Sequence, residues 1–226
     1  MARALVVYVH GLWLTGQESL LLRRRLAADF GFEVVPFRYP TVSGSMAEIL
    51  QSLQRFIDRH KADTLHLVGH SLGGVVIHRF LEREHTAQVL PPGRVVLLGS
   101  PLVGSRAASK VLTLPGLSAL IGRIASEELG TPAERRWTSA RALGVIAGTQ
   151  PMGLGRLFAR FSEPNDGTIA VSETRVAGAT DQITLPVSHM GLLLSARAAR
   201  ETGLFLREGR FSLAPDQSRP ASARSS

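Results

Sequence analysis

The chain has 226 residues, 44% of them hydrophobic, and a formal charge of +8. It holds no cysteine, which excludes disulfides and thiol chemistry, and no apolar run reaches the roughly 18 residues of a membrane span. The length suits one domain with a sizeable core, and the missing cysteines together with a first strand that begins almost at Met1 fit a cytoplasmic protein.

Nearly all the positive charge is arginine; Lys61 and Lys110 are the only lysines. The arginines are scattered, with no RNP-like or helix-turn-helix pattern beside them. The reading is therefore a solvated surface and no nucleic-acid partner, with peripheral contact to a lipid surface left open.

Apolar strand-like runs alternate with helix-like segments. Leu5–Val9 reads as a buried strand, followed by a helix over about Glu18–Phe30. Glu33–Phe37 is a second strand, and Met46–His60 a helix with apolar residues at 46, 49, 50, 53, 56 and 57. Leu65–Val68 is a third strand, with Val75–Arg83 the helix behind it. Val95–Leu98, Leu143–Ala147 and Ile183–Val187 complete the strands, and a closing helix covers about Leu192–Glu201. This alternation predicts an α/β fold: a mostly parallel sheet of about six strands with helices on both faces.

Two regions break the rhythm. Residues 104–141 are longer than one crossover helix needs and carry Leu112, Leu114, Leu117, Leu120, Ile121 and Ile124. They fit a lid over a site and a core crossover equally well. Residues 212–226 are rich in proline, serine and arginine and are expected to be a disordered tail after a single domain of residues 1–211.

The chemistry centres on Gly69-His70-Ser71-Leu72-Gly73-Gly74, at a strand-to-helix junction. G-x-S-x-G in that context is a nucleophile elbow: the serine sits on a strained turn, the glycines make room for it, and the helix N-terminus favours developing negative charge. The N–H of Leu72, next after the serine, is then one donor to an oxyanion.

With these residues the chain resembles the α/β-hydrolase family, particularly its lipase and esterase branch. Four further segments match in the family's order. "VVYVHGLW" from Val6 resembles the strand and His-Gly turn of the oxyanion hole, and "LLGSPLVGS" from Leu97 the strand end after the elbow helix. "PNDGTIAVSET" from Pro164 resembles the loop carrying the acid, and "LPVSHMGLLLS" from Leu185 the loop carrying the base. The resemblance implies Ser71 as nucleophile, Asp166 as acid, His189 as base and Leu12 as the second oxyanion donor. Among the seven histidines, His189 alone follows the last strand and opens the last helix, while His10 holds a turn. Asp181 and Glu163 stay open as competing acids.

The implied activity is cleavage of a carboxylic ester, on a small molecule or a lipid, through an acyl-serine. Transfer of the acyl group to another acceptor, thioester cleavage and a non-catalytic binding role are the alternatives. Trp13 and Tyr39, in loops expected at the site, are candidates to line an acyl pocket and could equally be rim aromatics. No cofactor is implied, and the histidines lack metal-ligand spacing.

Overall fold

β1 (Ala4–Val9) shows why the chain forms a two-faced sheet. Leu5, Val7 and Val9 enter one hydrophobic cluster, while Val6 and Tyr8 enter another on the opposite face. A strand buried on both sides must be apolar at every position, as a covered parallel sheet requires. The computed structural model describes residues 3–82, 90–113, 118–130, 134–152 and 161–212. Beside β1 lie β2 (Glu33–Phe37), β3 (Thr64–His70), β4 (Val95–Leu98), β5 (Leu143–Gly148) and β6 (Asp181–Leu185), all parallel, in the order β2-β1-β3-β4-β5-β6. This is the expected six-stranded parallel architecture.

Helices α1 (Leu20–Phe30) and α8 (Ala196–Glu208) cover one face; α2 (Met46–Arg59), α3 (Leu72–Glu82) and α5 (Ser118–Leu129) cover the other. α2 starts on a capping box: the Glu48 N–H donates to Ser45 Oγ and the Ser45 N–H to the Glu48 carboxylate.

Several boundaries differ from expectation. The last strand stops at Leu185 rather than Val187, because Pro186 has no N–H for the ladder. After the short α6 (Val171–Thr174), the closing helix is divided into α7 (Gly191–Leu194) and α8 by Ser195, whose extended backbone and Oγ cap the Ala198 N–H, and α8 runs on to Glu208. α3 begins at Leu72, taking Gly73 and Gly74 into its first turn instead of leaving them as a loop. Chain order stays fixed to Ser212, whose N–H and hydroxyl both donate to Glu201; the rest of the expected tail lies outside the described residues.

Within 104–141, α4 (Arg106–Leu112) and α5 are built into the body of the fold. Val111, Ile121, Ile124, Ala125 and Leu129 are buried in the cluster that also holds Leu72 and Val76. Glu128, with Arg79 and Arg135 on its carboxylate, ties α5 to α3 and to the loop after it. Leu114 and Leu117 lie outside the described residues.

Candidate active site

Ser71 follows β3 directly and precedes α3 by one residue, with a left-handed φ of 54°. For a non-glycine residue this costs on the order of 1–3 kcal/mol, so the surroundings must impose it. They do: the Ser71 N–H donates to Leu98 O at 3.0 Å, and Ser71 O accepts the Gly74 N–H at 3.0 Å. The glycines answer to contact rather than flexibility. A methyl at Gly73 would lie 2.1 Å from Val9 O, and one at Gly74 would lie 2.1 Å from Ser100 Oγ. α3 thus starts pressed against the end of β1, as only a helix without Cβ atoms there can.

Asp166 and His189 come from the loops after β5 and β6, and the structure brings them into contact. Asp166 Oδ2 accepts from His189 Nδ1 at 2.6 Å, and Asp166 O accepts the His189 N–H at 2.9 Å. The other carboxylate oxygen, Oδ1, accepts the Thr168 N–H at 2.9 Å and the Ile169 N–H at 2.7 Å. With Asp166 ionised, the proton sits on His189 Nδ1 and Nε2 presents a lone pair. Both side chains are largely withdrawn from solvent. The competing acids are engaged elsewhere: Glu163 binds Arg106 and Ser172, and Asp181 accepts from the Gln182 and Phe211 N–H groups. Asn165 supplies the turn, its Oδ1 accepting the Gly167 N–H.

His70 links the two halves of the site and is not singled out by the motif. It is wholly buried, its Nε2–H donates to His189 O at 3.1 Å, and the two rings lie 4.6 Å apart. Its Nδ1 has no partner among the described residues, and burial, then the neighbouring His189, holds its pKa far below the usual histidine value. The residue next to Ser71 therefore fixes the loop of His189 as a neutral donor. His70→Phe, which keeps the ring and removes that donor, is expected to lower ester turnover about 10- to 100-fold at nearly unchanged KM, a buried hydrogen bond being worth ~1–3 kcal/mol here. His70→Gln, which restores an amide N–H at the same reach, should recover most of it. Equal turnover in His70→Phe and wild type would show that the strut is idle.

Two glycines were also missed, though each stands at a strand end where such signals are legible. At Gly99, with φ +54°, a methyl would lie 3.0 Å from Asp166 Oδ2 and 3.1 Å from His189 Nδ1. At Gly148 it would lie 2.7 Å from Asp166 Cβ.

The turn after β1 packs beside the serine: a methyl at Gly11 would come within 2.9 Å of Ser71 Cβ. Gly11 O accepts the Leu14 N–H and Thr41 Oγ1 accepts the Trp13 N–H, while no acceptor among the described residues takes the Leu12 N–H. The Leu72 N–H heads α3 and has no carbonyl four residues back within the helix. His10 is buried and neutral, its pKa lowered chiefly by burial. The Tyr39 N–H points to His10 Nε2 at 3.4 Å, so Nδ1 carries the hydrogen and donates to Gly11 O at 3.0 Å. Tyr39 itself is buried, stacked on His10 at 4.4 Å, with its hydroxyl donating to His10 O at 2.7 Å. Trp13, by contrast, is 57% exposed.

Among the described residues, the exposed large hydrophobics share a place in the chain order. Trp13, Leu20 and Leu21 lie between β1 and the first turn of α1, and Val42 between β2 and α2. Met152 follows β5, while Met190 and Leu194 follow β6. All seven stand in segments leading from the carboxyl ends of strands, the edge that also carries Ser71, Asp166 and His189. No group of three or more potential metal ligands occurs among the described residues.

A model of the alpha/beta hydrolase family matches residues 6–219. No curated protein sequence matches the chain. Among solved structures, it is similar to a lipase of Bacillus licheniformis in its mature form, with 18% identity, a TM-score of 0.65 and 91% of each chain covered. It is also similar to a thioesterase from the prodiginine biosynthetic pathway of Streptomyces coelicolor (14% identity, TM-score 0.63, 89% of this chain and 90% of that one). The phospholipase PlaB of Legionella pneumophila gives 15% identity and a TM-score of 0.65 over 89% of this chain and 57% of that one.

Proposed function

The chain belongs to the alpha/beta hydrolase family, and on that premise we propose that it cleaves carboxylic esters of apolar acyl groups through an acyl intermediate on Ser71. The observation that carries this reading is the pairing of His189 with Asp166 on a loop bonded to His70, the immediate neighbour of Ser71. His189 Nε2 takes the Ser71 hydroxyl proton as Oγ attacks the carbonyl, and Asp166 stabilises the imidazolium that forms. The resulting oxyanion is held by the N–H groups of Leu12 and Leu72, each worth ~2.7–4 kcal/mol to the barrier. Collapse expels the alcohol, protonated by His189; water, activated by the same imidazole, then releases the acid and restores Ser71.

The exposed apolar side chains at this edge suit an acyl chain and a lipid-borne substrate, with Trp13 as the contact the sequence nominated. Tyr39 serves differently from that nomination: its hydroxyl on His10 O sets the oxyanion turn from behind. With Ile121, Ile124, Ala125 and Leu129 buried in the core, α5 acts as a fixed wall rather than a lid. A fluorophosphonate is expected to phosphonylate Ser71, mapped by the mass of the peptide that contains it. A folded protein that takes up no label would overturn the reading. Chain length and leaving group are read from p-nitrophenyl esters between acetate and palmitate beside an acyl thioester; turnover confined to the thioester would move the assignment to thioester cleavage.

A further inference from the structure

At the open edge of the sheet, β2 and α2 enclose a cavity of about 430 Å³ that the ester chemistry does not use. Its apolar lining is Phe37 and Phe56, packed edge to face at 5.3 Å, with Pro36 beside them. Arg38, from just past the end of β2, and Arg55 and Arg59, one turn apart on α2, line it together with Ser52. Like charges spaced four apart disfavour the helix that carries them, and a third arginine lining the same hollow adds to the repulsion. Among the described residues no carboxylate pairs with any of the three, whereas Arg3, Arg79, Arg106 and Arg135 are all ion-paired. Asp58, on the same helix, is engaged by Gln54.

We propose that this groove binds the phosphoryl group of an organic phosphate whose carbon portion rests on Phe37 and Phe56. Guanidinium groups present planar forks of N–H donors that match phosphoryl oxygens, and three of them suit a phosphomonoester dianion. A hollow of this volume lies within the range of small-ligand sites, so it holds more than a bare inorganic ion, and its aromatic floor gives the remainder a surface. Charge on an edge strand also deters edge-to-edge pairing, and Pro36 already serves that end. Guarding an edge, however, does not call for two arginines on a neighbouring helix lining the same hollow as a third, beside a pair of edge-to-face rings. The inference is independent of the ester reading.

The test uses the intact chain, phenyl phosphate and phosphatidylcholine vesicles with and without phosphatidic acid. Arg55→Ala/Arg59→Ala changes exposed side chains, and Arg207→Ala/Arg210→Ala is a control with the same loss of charge. Phenyl phosphate is expected to bind the wild type and the control, with the Kd raised about tenfold or more in the groove variant. Binding only to vesicles containing phosphatidic acid, lost in the groove variant alone, would support the site and assign the phosphate to a lipid headgroup. Three results would overturn it: no binding to either probe, equal weakening in both double variants, or self-association of the groove variant with binding unchanged. Ester turnover, measured alongside, should be the same in all three proteins.

Discussion

Asp166→Asn is expected to lower the turnover of an activated ester by about 10⁴-fold while leaving the fold intact, the scale on which a wrongly set imidazole tautomer slows a serine hydrolase. The geometry fixes the direction of the effect. Asp166 Oδ1 accepts two backbone N–H groups, from Thr168 and Ile169, so an asparagine must keep its carbonyl oxygen there. Its NH2 then faces His189 Nδ1, now 2.6 Å from Oδ2, and donates to it. The imidazole must present a lone pair at Nδ1 and a hydrogen at Nε2. It can no longer take the Ser71 proton. Labelling by a fluorophosphonate should slow in parallel, because it needs the same proton transfer. The main-chain bond from the His189 N–H to Asp166 O survives the change, so the thermal midpoint should shift little. Asp181→Asn is the control: that carboxylate holds the Gln182 and Phe211 N–H groups, and its loss should move stability rather than turnover. Wild-type turnover in Asp166→Asn would remove Asp166 from the mechanism.

The contrast between these two aspartates shows what could be read before any coordinates. Asp166 and His189 were legible through the resemblance of PNDGTIAVSET and LPVSHMGLLLS to the loops that carry an acid and a base, and the parallel β5–β6 pair then brings those two loops to one edge. The strands were legible because a strand covered on both faces is apolar throughout. What escaped depended on contacts between distant residues. His70 is 119 positions from the carbonyl it binds, and nothing in its neighbours advertises that bond. Tyr39 is an aromatic in a loop by sequence, and only the stack on His10 reveals that its hydroxyl is already committed. The aliphatics of α5 have the composition of a lid and of a core crossover alike. Burial of Ile121, Ile124, Ala125 and Leu129 in the main core cluster is what distinguishes the two, and packing has no local signature. The helix expected from Val75 starts instead at Leu72: glycine disfavours helix interiors by roughly 1 kcal/mol each, and close approach to β1 and Ser100 outweighs that preference at Gly73 and Gly74.

That approach sets the second large effect. Gly73→Ala is expected to destabilise the chain by about 3 kcal/mol or more, lowering Tm by roughly 6–12 °C for a domain of this size. The added methyl would lie 2.1 Å from Val9 O and 2.6 Å from His10 O, both main-chain atoms of the central sheet and the turn beyond it. No rotamer can relieve the clash, so α3 must move away from β1. That movement separates the Leu72 N–H from the Gly11–Leu12 turn, and turnover should fall at least about 100-fold, as when one oxyanion donor is lost. Gly74→Ala supplies the comparison. Its obstacle is the Ser100 side chain, with Oγ at 2.1 Å and Cβ at 2.5 Å. Adding Ser100→Gly removes both atoms and should restore most of the lost stability, while no side-chain change can rescue Gly73→Ala. Thermal melts and ester turnover of the three variants decide the matter: a Gly73→Ala protein that melts and turns over like wild type would mean that the start of α3 is not clamped against β1, and the geometry of Ser71 would then need another cause.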